Sequence, residues 1–91
     1  MSEVPDTRTI HTPADLVVLL RELKQAVVAG DLEQIRPDPS PFATDSSVED
    51  IDDNGPWPDY IELRFRAPRD GTLYKLSVET YHGAGGTWGP E

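Results

Sequence analysis

The chain has 91 residues, with 17 Asp or Glu against 8 Lys or Arg, a formal net charge of -9 and no cysteine. That balance excludes a phosphate-backbone binder, which needs Lys and Arg, and disfavours an anionic membrane surface. It also excludes disulfide scaffolds, Cys-ligated zinc and cysteine nucleophiles.

No apolar run approaches the ~20 residues of a bilayer span. The opening Met-Ser-Glu-Val-Pro-Asp lacks the basic and apolar regions of a secretory signal, so a cytoplasmic, bacterial-type protein is expected. The length suits one small domain over residues 1–91 with a modest core. The charge is concentrated. Residues 31–59 hold nine acids (Asp31, Glu33, Asp38, Asp45, Glu49, Asp50, Asp52, Asp53 and Asp59) and one base, Arg36, a net of -8. The remainder, with eight acids and seven bases, nets -1.

In chain order, residues 1–11 read as a flexible arm or an edge strand around Thr7-Arg8-Thr9-Ile10. A helix is expected over about 13–29. Thr12 suits the N-cap, Pro13 the first helical position and Asp15 the capping box, while Gly30 suits the C-terminal stop. Leu16, Leu19, Leu20, Leu23 and Val27 recur at three- and four-residue spacing and form one apolar stripe. Asp31 to Arg36 reads as a further short helical turn, capped by Asp31. Residues 36–58 read as an irregular acidic connection, broken by Pro37, Pro39 and Pro41. Within it, Ser46-Ser47-Val48-Glu49 signals a one- to two-turn helix over about 47–52.

The last third predicts a hairpin of strands at about 59–67 and 72–81 around the Pro68-Arg69-Asp70-Gly71 turn. Ile61, Leu63 and Phe65 alternate with polar residues. Pairing Ala67 with Thr72 sets Phe65 against Tyr74, Leu63 against Leu76 and Ile61 against Val78, all on one face. It also sets Arg64 against Lys75, with Glu62 and Glu79 placed diagonally to relieve the like charges. Two strands alone are marginal, so a third is required, from the arm, from Thr87-Trp88 or from a second chain. The expected fold is α+β, with the helix stripe laid over a small antiparallel sheet.

Three features bear on function. The Asp50, Asp52, Asn54, Gly55 spacing matches the start of a calcium loop. However, the twelfth position is Ile61 and a strand follows where a helix is needed, so a solvated acidic turn is the plainer reading. The Gly-rich stretch 82–86, with His82, Gly83, Gly85, Gly86 and nearby Trp88, is a weak ligand-binding candidate. It lacks the lysine and following helix of a phosphate loop, and the plainer reading is a flexible turn. Trp57 and Trp88 are core plugs or binding anchors, and plugging is the commoner use in a small domain.

The acidic segment offers the most to a partner. Asp45, Glu49, Asp50, Asp52, Asp53 and Asp59, with Trp57 as anchor, suit a basic protein surface. No catalytic constellation is visible and no cofactor is implied. The expectation is therefore a non-enzymatic protein binder of immunity or antitoxin type. The alternatives are a small-ligand or divalent-metal domain and a self-associating homodimer.

Overall fold

The computed structural model describes residues 4–35, 47–52, 55–80 and 85–91. It contains β1 (Arg8–Ile10), α1 (Pro13–Ala29), β2 (Glu33–Ile35), a 3-10 helix (Val48–Asp50), β3 (Tyr60–Arg66), β4 (Leu73–Glu79) and β5 (Gly85–Pro90). The five strands form one antiparallel sheet in the order β1-β5-β4-β3-β2, with α1 packed on one face. This is the expected α+β architecture.

Local chemistry accounts for α1. The Thr12 hydroxyl accepts from Asp15 N at 3.1 Å, and the Asp15 carboxylate accepts from Thr12 N at 3.2 Å, which closes the capping box. The same carboxylate accepts from His11 N at 2.9 Å, and these backbone donors hold it below the usual carboxylate range. At the far end Gly30 adopts the left-handed conformation, φ 85°, which an L side chain resists. Leu16, Leu19, Leu20 and Leu23 are fully buried, and Ala26 completes the stripe where Val27 is only half-buried.

The hairpin forms in the expected register, with Ile61 opposite Val78, Leu63 opposite Leu76 and Phe65 opposite Tyr74. Ala67 N donates to Thr72 O at 2.9 Å at the neck of the turn. Gly71 takes φ 77° there. Arg64 does oppose Lys75. Glu62 relieves the pair from one side, 3.6 Å from Lys75 Nζ. On the other, Glu91 grips Arg64 through Nε and an Nη2 contact of 2.8 Å, a partner that strand pairing alone did not suggest.

Two expectations are corrected, and the source of the third strand is found. Asp31 to Arg36 was expected to be helical, but Glu33–Ile35 is the edge strand β2, with Gln34 opposite Phe65. The Gly30 cap has already closed the helix there: Asp31 N and Leu32 N both donate to Ala26 O. The free edge of β3 then recruits the next residues. The third-strand question is answered twice over, because β5 pairs with β4 and the arm strand β1 pairs with β5. The glycine-rich stretch is not wholly a turn either. Gly85 and Gly86 belong to β5, opposite Glu79 and Val78.

Trp88 is the largest fully buried side chain, at 1% exposure. Its ring meets Phe65 edge-on at 5.7 Å and stacks on Tyr74 at 5.5 Å. Its Nε1 donates to Pro5 O at 2.9 Å, so it ties the arm to the sheet.

Arg8 on β1 makes a bidentate pair with Glu22 on α1, at 2.8 and 3.0 Å. The hydrogen bonds from Arg8 hold the Glu22 carboxyl below its ordinary value of 4.5, and the Glu22 hydrogen bond raises Arg8. A carboxylate depressed in the folded state stabilises fully above its unfolded value and loses that contribution as pH falls through the folded one. The pair is partly exposed, 26% for Arg8 and 40% for Glu22, so its value is discounted to about 1 kcal/mol or less. Glu22→Gln is therefore expected to lower stability by about that amount at neutral pH. The difference from the parent chain should close as urea melts are repeated at progressively more acidic pH. A constant gap would assign the effect to packing.

Candidate functional site

The acidic middle of the chain is anchored rather than merely solvated, as far as residues 47–52 and 55–59 show. The anchor is a pair of apolar side chains among the acids: Val48 and Ile51, three residues apart, are 0% and 7% exposed and sit in the main core. That spacing puts both on one side of a single helical turn, which leaves Glu49, Asp50 and Asp52 on the outside. The signal was present in the sequence, but the surrounding charge obscured it.

Hydrogen bonds complete the attachment. Ser47 caps the turn, its hydroxyl accepting from Glu49 N at 3.3 Å. Val48 N donates to the Gln34 side-chain oxygen at 2.7 Å, which joins the turn to β2. Lys24 Nζ on α1 donates to Ile51 O. The indole Nε1 of Trp57 donates to Asp52 O at 2.9 Å, and Gly55 N donates to the same carbonyl at 3.2 Å. The peptide bond between Gly55 and Pro56 is cis. Trp57 is half-buried and packs against the core between exposed Pro56 and Pro58. Asp59 is exposed at the entry to β3, where its carbonyl accepts from Thr80 N at 2.8 Å.

The structure thus carries Glu49, Asp50, Asp52, Trp57 and Asp59 on a ledge built from the 3-10 helix and the approach to β3. The four carboxylates are exposed; Lys24 of α1 brings its ammonium to Ile51 O within the same turn, and Arg36, the one base of 31–59, lies outside the described residues. Asp45 and Asp53 of the expected partner set also lie outside the described residues. So does Asn54 of the expected metal set, and among the described residues no three His, Asp or Glu side chains come together to hold a metal ion. A ledge of this kind can steer and orient a cationic surface, because exposed like charges raise the local potential without needing to be desolvated first.

The ligand-binding set is divided. His82 and Gly83 lie outside the described residues. Gly85 and Gly86 form strand pairs, and Trp88 leaves almost none of its ring surface for a ligand. The burial of Trp88 follows from its place on β5 opposite Leu76, on the face that α1 covers. Among the described residues, no helix is long and apolar enough to cross a membrane.

A further feature has no signature in the sequence. A cavity of about 440 Å³ opens where the arm, the end of α1 and the β3–β4 turn meet, lined by Val4, Gly30, Asp31, Ala67, Arg69, Asp70 and Tyr74. Four separate chain segments contribute to it, so no local motif could announce it. Comparison with known protein families, curated proteins and solved structures returns no match.

Proposed function

We propose that this chain is a small non-enzymatic binding protein that presents an acidic ledge to a basic protein partner, as an immunity or antitoxin-like inhibitor does. The observation that carries the reading is the anchoring of the acidic turn. Val48 and Ile51 are buried beneath it, while Glu49, Asp50 and Asp52 face outward with Asp59 on the adjoining segment. A segment needed only for solubility gains nothing from core anchors. A segment that must hold charges in a defined arrangement does, because preorganisation lowers the ordering cost of association. The half-buried Trp57 supplies the kind of aromatic that dominates interface energetics when it becomes fully desolvated. The reading takes the protein to act in the cytoplasm, since a cysteine-free chain needs no oxidising compartment.

The test uses two variants of the full chain: Glu49→Gln/Asp50→Asn/Asp52→Asn/Asp59→Asn, and Trp57→Ala. The immobilised parent chain should capture a basic protein from extract of its source organism, with capture weakening as salt rises. The fourfold neutral variant should fold normally and slow association of the purified partner by about tenfold or more at low salt. Trp57→Ala should chiefly speed dissociation. A partner held equally well by the neutral variant, at every salt concentration, defeats the proposal.

A further inference from the structure

The cavity at the end of α1 contains a chemical anomaly. Asp31 lies just beyond the helix C-terminus, where the terminal carbonyls carry partial negative charge and cations, not carboxylates, are favoured. The last turn of α1 has no basic residue to offset it. One carboxylate oxygen, Oδ2, is out of contact with solvent and has no hydrogen-bond partner among the described residues. An unsatisfied buried acceptor costs stability, and such breaches of local rules mark places where a group is kept for another purpose.

The surroundings indicate that purpose. Asp31 is only partly buried as a residue, and it is one of the residues that line the cavity. Asp70 also lines the cavity, its own Oδ1 engaged by Thr72 N at 2.9 Å. Val4 and Ala67 supply apolar wall and Tyr74 an aromatic one, a surface suited to the stem and head of an organic cation. The volume of about 440 Å³ falls within the range of small-molecule sites. Arg69 also lines the cavity but is exposed on the turn and does not satisfy Asp31 Oδ2.

We propose that this cavity is a binding site for a primary ammonium or guanidinium group, with Asp31 as its anion and Tyr74 as its wall. None of the ledge residues lines it, so the site stands independently of the partner-binding reading. The cation is supplied either by a free small molecule or by a Lys or Arg side chain of a protein.

The test is titration of the full-length ¹⁵N-labelled chain, followed by amide shifts, with three probes: agmatine, an acetylated and amidated Gly-Arg-Gly peptide, and acetate. A cation should produce saturable shifts at Gly30, Asp31 and Asp70, with a dissociation constant on the order of 1 mM for so small a ligand. Binding of agmatine alone identifies a small-molecule site, binding of the peptide alone a side-chain site, and binding of both the shared chemistry. Asp31→Asn should weaken binding about tenfold or more while raising the melting temperature by a few degrees, because the charge opposing the helix end is gone. Arg69→Ala, on an exposed turn, should tighten cation binding by about two- to fivefold by removing a like charge. The proposal fails if neither cation saturates. It also fails if Asp31→Asn leaves binding unchanged, or if acetate binds and Arg69→Ala abolishes it, which would make this an anion site.

Discussion

Trp88→Ala is expected to remove a large share of the chain's stability, about 3–5 kcal/mol. The side chain is 1% exposed and fills the space between Phe65, Tyr74 and the arm. Truncating a buried Trp costs about 3–5 kcal/mol, from lost transfer energy and from the void left behind. A domain of 91 residues has a total stability of roughly 5–14 kcal/mol. The loss has a second component, because the Pro5 carbonyl that accepts from Nε1 would lose its donor and the arm its tie to the sheet. Trp88→Phe separates the two. It retains much of the apolar volume but not the hydrogen bond, so it should give a folded chain about 1–3 kcal/mol less stable, with accelerated amide exchange concentrated in β1. Far-ultraviolet circular dichroism and urea melts measure both. If Trp88→Ala folds with an unchanged urea midpoint, the indole is not the core plug described above.

The elements that were legible in the sequence share one property: their signal is local and carried by side chains. Thr12, Asp15 and Gly30 mark the ends of α1, and the leucines between them mark its buried face. Ile61, Leu63 and Phe65 alternate strictly, and the four-residue turn sets their register against Tyr74, Leu76 and Val78. The two elements misread in whole (Glu33–Ile35) or in part (Gly85–Pro90, of which Thr87-Trp88 was a strand candidate) lack such a signal. Glu33–Ile35 is three residues long, has no alternation, and is a strand only because the edge of β3 is free to pair with it. Gly85–Pro90 has three glycines and a proline in six residues, and becomes a strand only by pairing with β4 on one side and β1 on the other. Propensity disfavours both glycine and proline in a strand, so here tertiary pairing overrides it. The same distinction holds for the sites. The acidity of the ledge was plain from composition, but its ordering depended on whether Val48 and Ile51 found a core to enter. The cation cavity was invisible because Val4, Asp31, Arg69 and Tyr74 come together only in the folded chain.

Gly86→Ala should be nearly as damaging as loss of the tryptophan, although it adds a single methyl group. A Cβ at this position would lie 2.0 Å from Ser77 O and 2.6 Å from Val78 Cα, far inside contact distance. Both are backbone atoms of the neighbouring strand, so no rotamer change relieves the overlap, and β5 must move away from β4. Overpacking ordinarily costs about 1–3 kcal/mol, and a clash with immovable backbone belongs at or beyond the upper end. The consequences spread because β5 is the link between β4 and β1. Displacing it removes the pairing of Ile10 with Gly86 and unseats Trp88 two residues along. The neighbouring glycines provide internal controls. A Cβ at Gly85 meets nothing within 4 Å, so Gly85→Ala should be neutral to within about 0.5 kcal/mol. A Cβ at Gly89 meets Thr7 Cγ2 at 2.9 Å, a side chain that can turn aside, so Gly89→Ala should fall between the two. A flexible glycine-rich turn would tolerate alanine equally at 85 and 86, whereas a strand pressed against its neighbour at one position only would not. Urea midpoints for the three variants therefore decide between loop and strand: the order Gly85, Gly89, Gly86 from least to most damaging supports the strand, and a Gly86→Ala chain as stable as its parent rules it out.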